Sequence, residues 1–176
     1  MRRTGADKWW TGRRLTQRLL RREKGAVALE FTFAGVLFFV LFFAIIEFGL
    51  MFWVNLTMQH AVREGARYAI TGLNDRDPTP AQGEDGKKIY DRDRAVTQMI
   101  RESSMGLYDK VVVERNIRAY GGSRLSGYGA PGDIIVINLD CAWPLLTPLA
   151  QPFFRKTGGR YEFTVSATMR NEAFQP

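Results

Sequence analysis

The stretch FTFAGVLFFVLFFAIIEFGLMFWV, residues 31–54, decides the fold of this chain. It contains a single ionisable residue, Glu47, and its first 16 residues, Phe31–Ile46, carry no charge. At a rise of about 1.5 Å per residue those residues cover ~24 Å of a ~30 Å hydrocarbon core, and the apolar residues up to Val54 complete the span. Because no periodic polar face interrupts the stretch, it predicts a membrane helix rather than the core helix of a small soluble domain.

A secretory signal peptide is the alternative interpretation of this stretch. The apolar run is longer than the h-region of a signal peptide, and no small-x-small cleavage site follows it. We therefore predict that the helix stays in the protein as a membrane anchor.

The charge of the chain is concentrated in front of this helix. Nine of the 25 Lys and Arg residues, but only two of the 18 Asp and Glu residues, lie in residues 1–25, which carry the whole net charge of +7. The rest of the chain has 16 residues of each sign, so a nucleic-acid partner loses its main support. Positive flanks stay in the cytoplasm, which predicts a cytoplasmic N terminus and an extracytoplasmic C-terminal domain.

Two residue counts argue against common catalytic and metal sites. The one cysteine, Cys141, excludes an internal disulfide. The one histidine, His60, argues against a His-based metal site and a Ser-His-Asp triad. We expect no cofactor, no metal and no enzyme activity.

Beyond the span, apolar or small residues recur at i, i+3, i+4 and i+7 and predict that the helix continues. They are Met58, Ala61, Val62, Gly65, Ala66, Ala69 and Ile70. Gly72 supplies a stop, so the sequence predicts one helix from about Ala26 to Thr71. Gly65 and Ala66 are small enough to let a sheet approach the helix backbone. Arg63 and Arg67 lie on the opposite, solvated face, with an anion site as the alternative.

The remainder of the chain predicts a small mixed domain. Residues 73–90 are polar and predict an exposed loop whose acids, Asp75, Asp77, Glu84 and Asp85, are solvated. A short helix is predicted for Asp91–Ser104, with Asp91 or Asp93 at its N-cap. Strands are predicted for Lys110–Tyr120, Asp133–Trp143 and Arg160–Met169, the first two joined by a Gly-rich loop, Gly121–Gly132. The fold class is therefore α+β, with a long N-terminal helix packed on a small antiparallel sheet of about three strands.

Four motifs follow one another along the chain. They are Gly25-Ala26-Val27-Ala28-Leu29-Glu30-Phe31, Glu47-Phe48-Gly49, Arg63-Glu64-Gly65-Ala66-Arg67-Tyr68-Ala69 and Ala167-Thr168-Met169-Arg170-Asn171-Glu172. The first resembles the processing site of type IV prepilins, and the ordered set resembles the TadE-like pseudopilins of the Tad (Flp pilus) system. The resemblance is strong over residues 21–72, weaker at 160–172 and absent from 73–159.

The resemblance implies a pilin-like subunit that a prepilin peptidase cleaves after Gly25. It further implies an inner-membrane or pilus-associated location, with other pilin or pseudopilin subunits and Tad assembly proteins as partners. The chain would then divide into a cleaved leader (1–25), a transmembrane helix (26–55), a stem helix (56–72) and an extracytoplasmic α+β domain (73–176). The alternative is an unprocessed, single-pass, membrane-tethered binding or assembly-platform protein.

The residues of the first motif can also be interpreted from their chemistry. Gly25 lacks a side chain, so a protease can approach its carbonyl closely, and cleavage there would free the amine of Ala26. Glu30 follows little more than one turn later, at the edge of the hydrocarbon, where an unpaired carboxylate is costly. The resemblance implies that Glu30 neutralises the Ala26 amine of a neighbouring subunit; ordinary solvation in the headgroup layer is the alternative.

Glu47 is the one acid inside the apolar stretch. It lies 21 residues after Ala26, or ~32 Å along a straight helix. We expect it at the outer interface, where it needs no special partner. If it lies deeper in the bilayer, it should pair with another subunit.

Overall fold

One long helix and a three-stranded sheet make up the fold. The structure, a computed structural model, describes residues 7–120, 127–148 and 150–173, with side chains from Gly25 onward. In chain order the elements are α1 (Asp7–Ile70), β1 (Ala81–Gln82), β2 (Lys88–Ile89), α2 (Arg92–Ser103), α3 (Tyr108–Val111), β3 (Val112–Ala119), β4 (Ile134–Pro144), a 3-10 helix (Gln151–Thr157) and β5 (Arg160–Arg170). The chain divides into two compact units, Met1–Ile45 and Ile46–Pro176.

Helix α1 is longer at its N terminus than the sequence predicted. It begins at Asp7, so the predicted start near Ala26 was wrong for the uncleaved chain. Residues 7–24 contain no proline and are rich in Arg, Leu and Lys, which are good helix formers. At the other end the helix stops at Ile70, and Gly72 follows with a φ of +73°, which its missing side chain permits.

The sheet confirms the predicted α+β architecture. Its order is β3-β4-β5, both pairs are antiparallel, and Ile137 of β4 pairs with Ile117 on one side and Ala167 on the other. The predicted strands agree within two residues, and the first begins late because the short helix α3 precedes it. Part of the predicted Gly-rich loop, residues 121–126, lies outside the described residues.

The core lies where the stripe of α1 meets the inner face of the sheet and α2. Met58, Ala61, Val62, Ala66 and Ala69 are fully buried, which confirms the predicted stripe. Their partners in the core cluster include Val96, Ile100, Ile135, Ile137, Leu139 and Val165. Burying each of the larger apolar side chains stabilises the fold by about 1.5–3 kcal/mol.

Gly65 lies against helix α2 and not, as predicted, against the sheet. A Cβ built on Gly65 would lie 2.1 Å from Cγ1 of Ile100, a residue of α2. The prediction that the sheet approaches the helix here was therefore wrong in its partner. The close approach is between two helices, because the side chain of Ile100 on α2 occupies the space beside Gly65.

The segment before α2 is less exposed than the sequence predicted. It contains the small hairpin β1–β2, and Asp77 is buried, so the interpretation of Asp77 as a solvated acid was wrong. Its carboxylate accepts hydrogen bonds from the backbone N–H groups of Asp91 (2.8 Å) and Thr79 (3.0 Å). Asp91 is the N-cap of α2, as predicted, and accepts from the N–H of Asp93 at 2.7 Å.

Candidate functional site

The predicted processing segment lies on an open side of α1. All residues from Gly25 to Phe31 are exposed, and a Cβ on Gly25 would meet no atom within 4 Å. Phe31 is 80% exposed, and Glu30 is exposed one residue before it. Among the side chains described from Gly25 onward, none shields the Gly25–Ala26 bond, although the bond lies within a regular helix.

The apolar surface that follows is equally uncovered. Large side chains from Val27 to Ile46 are exposed, and Phe rings one turn apart stack, with centroids 6.1 Å apart for Phe38 and Phe42. Soluble proteins rarely expose a continuous apolar surface of this size. Among the described residues one helix, Gly25–Ile70, is long and apolar enough to cross a membrane.

Glu47 has partners that the sequence did not indicate. It is only 2% exposed, and its Oε1 and Oε2 accept the backbone N–H groups of Leu146 (2.9 Å) and Thr147 (2.8 Å). The expectation that Glu47 needs no special partner was wrong. Two charge-assisted hydrogen bonds satisfy the carboxylate and hold the connection after β4 against α1.

The stem motif acts mainly through packing. Gly65 makes room for Ile100, and the hydroxyl of Tyr68 donates to Asp75 (2.6 Å) and accepts from the N–H of Arg76 (3.2 Å). Burial and the hydrogen bond to Asp75 raise the pKa of Tyr68 to about 12. The tyrosine therefore stays protonated and joins α1 to the loop that follows it.

The charged members of the motif remain on the surface. Arg63 and Arg67 are exposed, as expected of a solvated helix face, and Arg67 pairs with Glu64 at 3.7 Å. A surface pair of this kind contributes little to stability, about 0–1 kcal/mol.

The exposed apolar helix, the glycine in front of it and the stem motif together form the part of the chain that comparison with known proteins recognises. Residues 25–67 match the family model of TadE-like proteins. The resemblance drawn from the sequence is thereby confirmed over these residues, roughly a quarter of the chain. Over these residues the chain is similar to TadE-like proteins, and its helix is long and apolar enough to cross a membrane. No curated protein and no solved structure matches the chain.

Outside the TadE-like segment, the C-terminal motif contains a residue whose role the sequence analysis missed. Asn171 is buried, and its Nδ2 donates to the carbonyl oxygens of Tyr128 (2.8 Å) and Ala130 (2.9 Å).

Arg92, the first residue of α2, is a second residue whose contacts the sequence did not predict. It donates to the carbonyl oxygen of Ala69 (2.5 Å), at the end of α1, where a cation is favourable. The motif itself was a signal for Asn171; nothing in the sequence pointed to Arg92.

A second, partly buried network of hydrogen bonds joins α2 to the sheet. Arg115 of β3 donates to Asp93 (2.7 Å), Thr97 (2.7 Å) and the hydroxyl of Tyr128 (3.0 Å). Burial alone would lower the pKa of Arg115, but the hydrogen bond to Asp93 and the nearby charges outweigh it and raise that pKa. Because its guanidinium stays protonated, Arg115 does not exchange protons. Its hydrogen bonds position α2 against β3.

Chemistry-bearing side chains are not assembled in the described part of the chain. No group of three or more His, Cys, Asp or Glu residues there is placed to hold a metal ion. Cys141 is buried, and burial raises the pKa of its thiol to about 12, which suppresses the reactive thiolate. The arrangement is suited to anchoring and to contacts between helices.

Proposed function

We propose that this chain is a pseudopilin, a minor pilin-like subunit of a Tad (Flp) tight-adherence pilus system, that acts by helix packing and not by catalysis. The observation that carries the proposal is the TadE-like match over residues 25–67, which spans the open glycine, Glu30 and the uncovered apolar helix. Its partners would be the membrane, a prepilin peptidase, other pilin or pseudopilin subunits and Tad assembly proteins.

The proposed topology follows from the distribution of charge. The leader, residues 1–25, holds the whole net charge of +7 and would remain in the cytoplasm. Residues 26–55 would cross the inner membrane, residues 56–72 would form the stem, and residues 73–176 would form the extracytoplasmic domain.

Cleavage after Gly25 is part of the proposal. Water would add to the carbonyl carbon of Gly25, and the nitrogen of Ala26 would leave as a free amine. Glycine offers the least obstruction at the carbonyl under attack, and a Cβ built on Gly25 meets none of the described atoms within 4 Å. The new positive charge would lie little more than one helical turn from Glu30.

The test is the N terminus of the protein recovered from cells with and without a prepilin peptidase. Mass spectrometry should find Ala26 first in peptidase-competent cells and Met1 first in cells without the enzyme. Gly25→Phe should remain uncleaved, whereas Gly35→Ala, at another helix glycine with open space around it, should be cleaved normally. An intact Met1 in wild-type, peptidase-competent cells would contradict processing.

One observation favours a second candidate, an unprocessed membrane-tethered binding or assembly-platform protein. Helix α1 passes through Gly25 without interruption, and a protease would have to unwind it locally to reach the bond. On this hypothesis Gly25→Phe would stay full-length in the membrane and support pilus assembly as well as wild type does. Loss of assembly in Gly25→Phe, with normal membrane insertion, would favour the processed pseudopilin.

A further inference from the structure

Residues 145–159 join β4 to β5, and the described residues 145–148 and 150–157 of this segment are here called the outer connection. It meets α1 at Glu47, whose carboxylate accepts the N–H groups of Leu146 and Thr147. These bonds fix the start of the connection at the level of residue 47 along the helix.

That level lies within the apolar part of α1. Beyond Glu47, toward the stem, α1 still presents the exposed apolar side chains of Phe48 and Phe52. Phe52 is about 7.5 Å further along the helix axis than Glu47. A bilayer that covers these side chains must therefore also reach the start of the outer connection.

The outer connection itself carries large exposed apolar side chains. Leu146 is 65% exposed and Phe153 is 87% exposed, and the exposed Arg155 and Lys156 begin two residues after Phe153. Apolar side chains beside basic ones are typical of segments that lie in the interface of an anionic membrane.

We propose that the outer connection is a second membrane-contacting element, held at the level of residue 47 by Glu47, with Leu146 and Phe153 inserted at the boundary between headgroups and acyl chains. Backbone N–H groups that enter a bilayer must find a partner in the protein, and Glu47 supplies one each for those of Leu146 and Thr147. In turn, those two donors satisfy a carboxylate that would otherwise be costly at that depth. The inference rests on the membrane helix of the proposed function, and its occupant is lipid.

The experiment places an environment-sensitive fluorophore at single cysteines in the full chain, reconstituted in phosphatidylcholine–phosphatidylglycerol vesicles. In a Cys141→Ala background the labelled sites are Leu146→Cys and Phe153→Cys, with Phe52→Cys as the site in the span and the exposed Val113→Cys of β3 as the aqueous site. The quencher is a lipid with a nitroxide near the top of its acyl chain. We expect quenching at residues 146 and 153 to be close to that at 52 and several-fold above that at 113.

The outcomes separate the two proposals. Quenching at 52 without quenching at 146 and 153 overturns the outer connection as a membrane element and leaves the anchor intact. No quenching at 52 overturns the membrane helix and this inference with it. Shielding of 146 that appears only as the protein-to-lipid ratio rises would assign the surface to a second copy of the chain and also overturn the inference.

A substitution of Glu47 tests whether its carboxylate holds the outer connection in place. Glu47→Ala removes both acceptors, so quenching at 146 should fall several-fold while quenching at 52 stays unchanged. Glu64→Ala, at an acid further along the same helix, should change neither signal. Equal quenching at 146 with and without Glu47 would show that the carboxylate does not hold the connection in place.

Discussion

At the scale of single residues, Gly65 is the residue of the stem motif that packs against Ile100 of α2. Gly65 faces Ile100 so closely that an added Cβ would lie 2.1 Å from Cγ1. Helix propensity favours alanine over glycine by about 1 kcal/mol, whereas overpacking a filled core costs about 1–3 kcal/mol. Because Ile100 is fully buried and branched at Cβ, the packing cost should exceed the gain in propensity.

Gly65→Ala should therefore lower the thermal unfolding temperature of the full chain in detergent, followed by near-ultraviolet circular dichroism. Gly49→Ala is the matched control, because a Cβ there meets no atom within 4 Å. The double variant Gly65→Ala/Ile100→Ala should lose less stability than the sum of the losses in the two single variants. The smaller side chain at residue 100 removes the clash with the new Cβ. A Gly65→Ala variant as stable as Gly49→Ala would refute the close helix contact.

Asp77 makes the fold sensitive to acid. Burial alone would raise the pKa of its carboxyl, but the N–H groups of Asp91 and Thr79, together with Arg94, lower it below its ordinary value. A carboxyl whose pKa is lower in the folded state stabilises the fold above its ordinary pKa of about 3.9. That stabilisation disappears as the pH falls through the folded-state pKa.

Asp77→Asn should thus unfold at a lower temperature than wild type at about pH 7, and the difference should shrink as the pH falls toward about 3. The exposed Glu84→Gln, in the same segment, should leave the unfolding temperature near that of wild type throughout. A difference between Asp77→Asn and wild type that stays constant with pH would show that the effect does not come from ionisation.

At the scale of elements, the C-terminal end of β5 is tied into the core through Asn171. Its side chain donates to two carbonyl oxygens, those of Tyr128 and Ala130, and its own N–H donates to the carbonyl oxygen of Asp133 (2.8 Å). The next N–H, that of Glu172, donates to the carbonyl oxygen of Ile70 at the end of α1 (3.0 Å). The strand therefore closes the fold against the helix terminus.

Asn171→Ala should destabilise the full chain by about 1–3 kcal/mol, because the carbonyl oxygen of the buried Tyr128 loses the donor that Asn171 supplies. Thr168→Ala, at an exposed position of the same strand, should cost less than about 1 kcal/mol. The measurement is chemical unfolding in detergent, and equal midpoints for the two variants would contradict the role given to Asn171.

The elements show which parts of the fold a sequence can predict. Periodicity maps directly onto faces, so the stripe from Met58 to Ile70 and the alternation in Arg160–Met169 predicted a helix and a strand correctly. The partners of Glu47 could not be found this way. Its hydrogen bonds come from backbone N–H groups 99 and 100 residues away, and a backbone donor leaves no mark on residue type.

The candidate site likewise contains residues that the sequence predicts and residues that it does not. Gly25 and Glu30 belong to a motif that is visible directly in the sequence, and both residues are exposed on α1; their role in processing stays a prediction. The burial of Asp77 and the tie made by Arg92 depend on how loops fold back onto the ends of α1 and α2. No local pattern encodes such contacts.

At the scale of the whole molecule, the proposed boundary between leader and membrane helix, at Gly25 and Ala26, lies little more than one helical turn from Glu30, which is exposed on α1. The proposed assembly contact pairs this carboxylate with the Ala26 amine that cleavage frees on a neighbouring subunit. Hydrogen bonds to charged groups are worth about 1.5–3 kcal/mol, so the contact would change an association constant by roughly ten-fold or more. Solvation in the headgroup layer, the alternative, predicts no such change.

Glu30→Gln keeps the shape of the side chain and removes its charge. We expect roughly ten-fold lower recovery of tagged with untagged copies from solubilised membranes, while membrane insertion and the Ala26 N terminus are preserved. Glu64→Gln is the control on the same helix, because that acid is paired within the chain with Arg67. If Glu30→Gln and Glu64→Gln both associate as wild type does, the carboxylate at residue 30 is solvated and the contact between subunits must be made by the apolar helix surface alone.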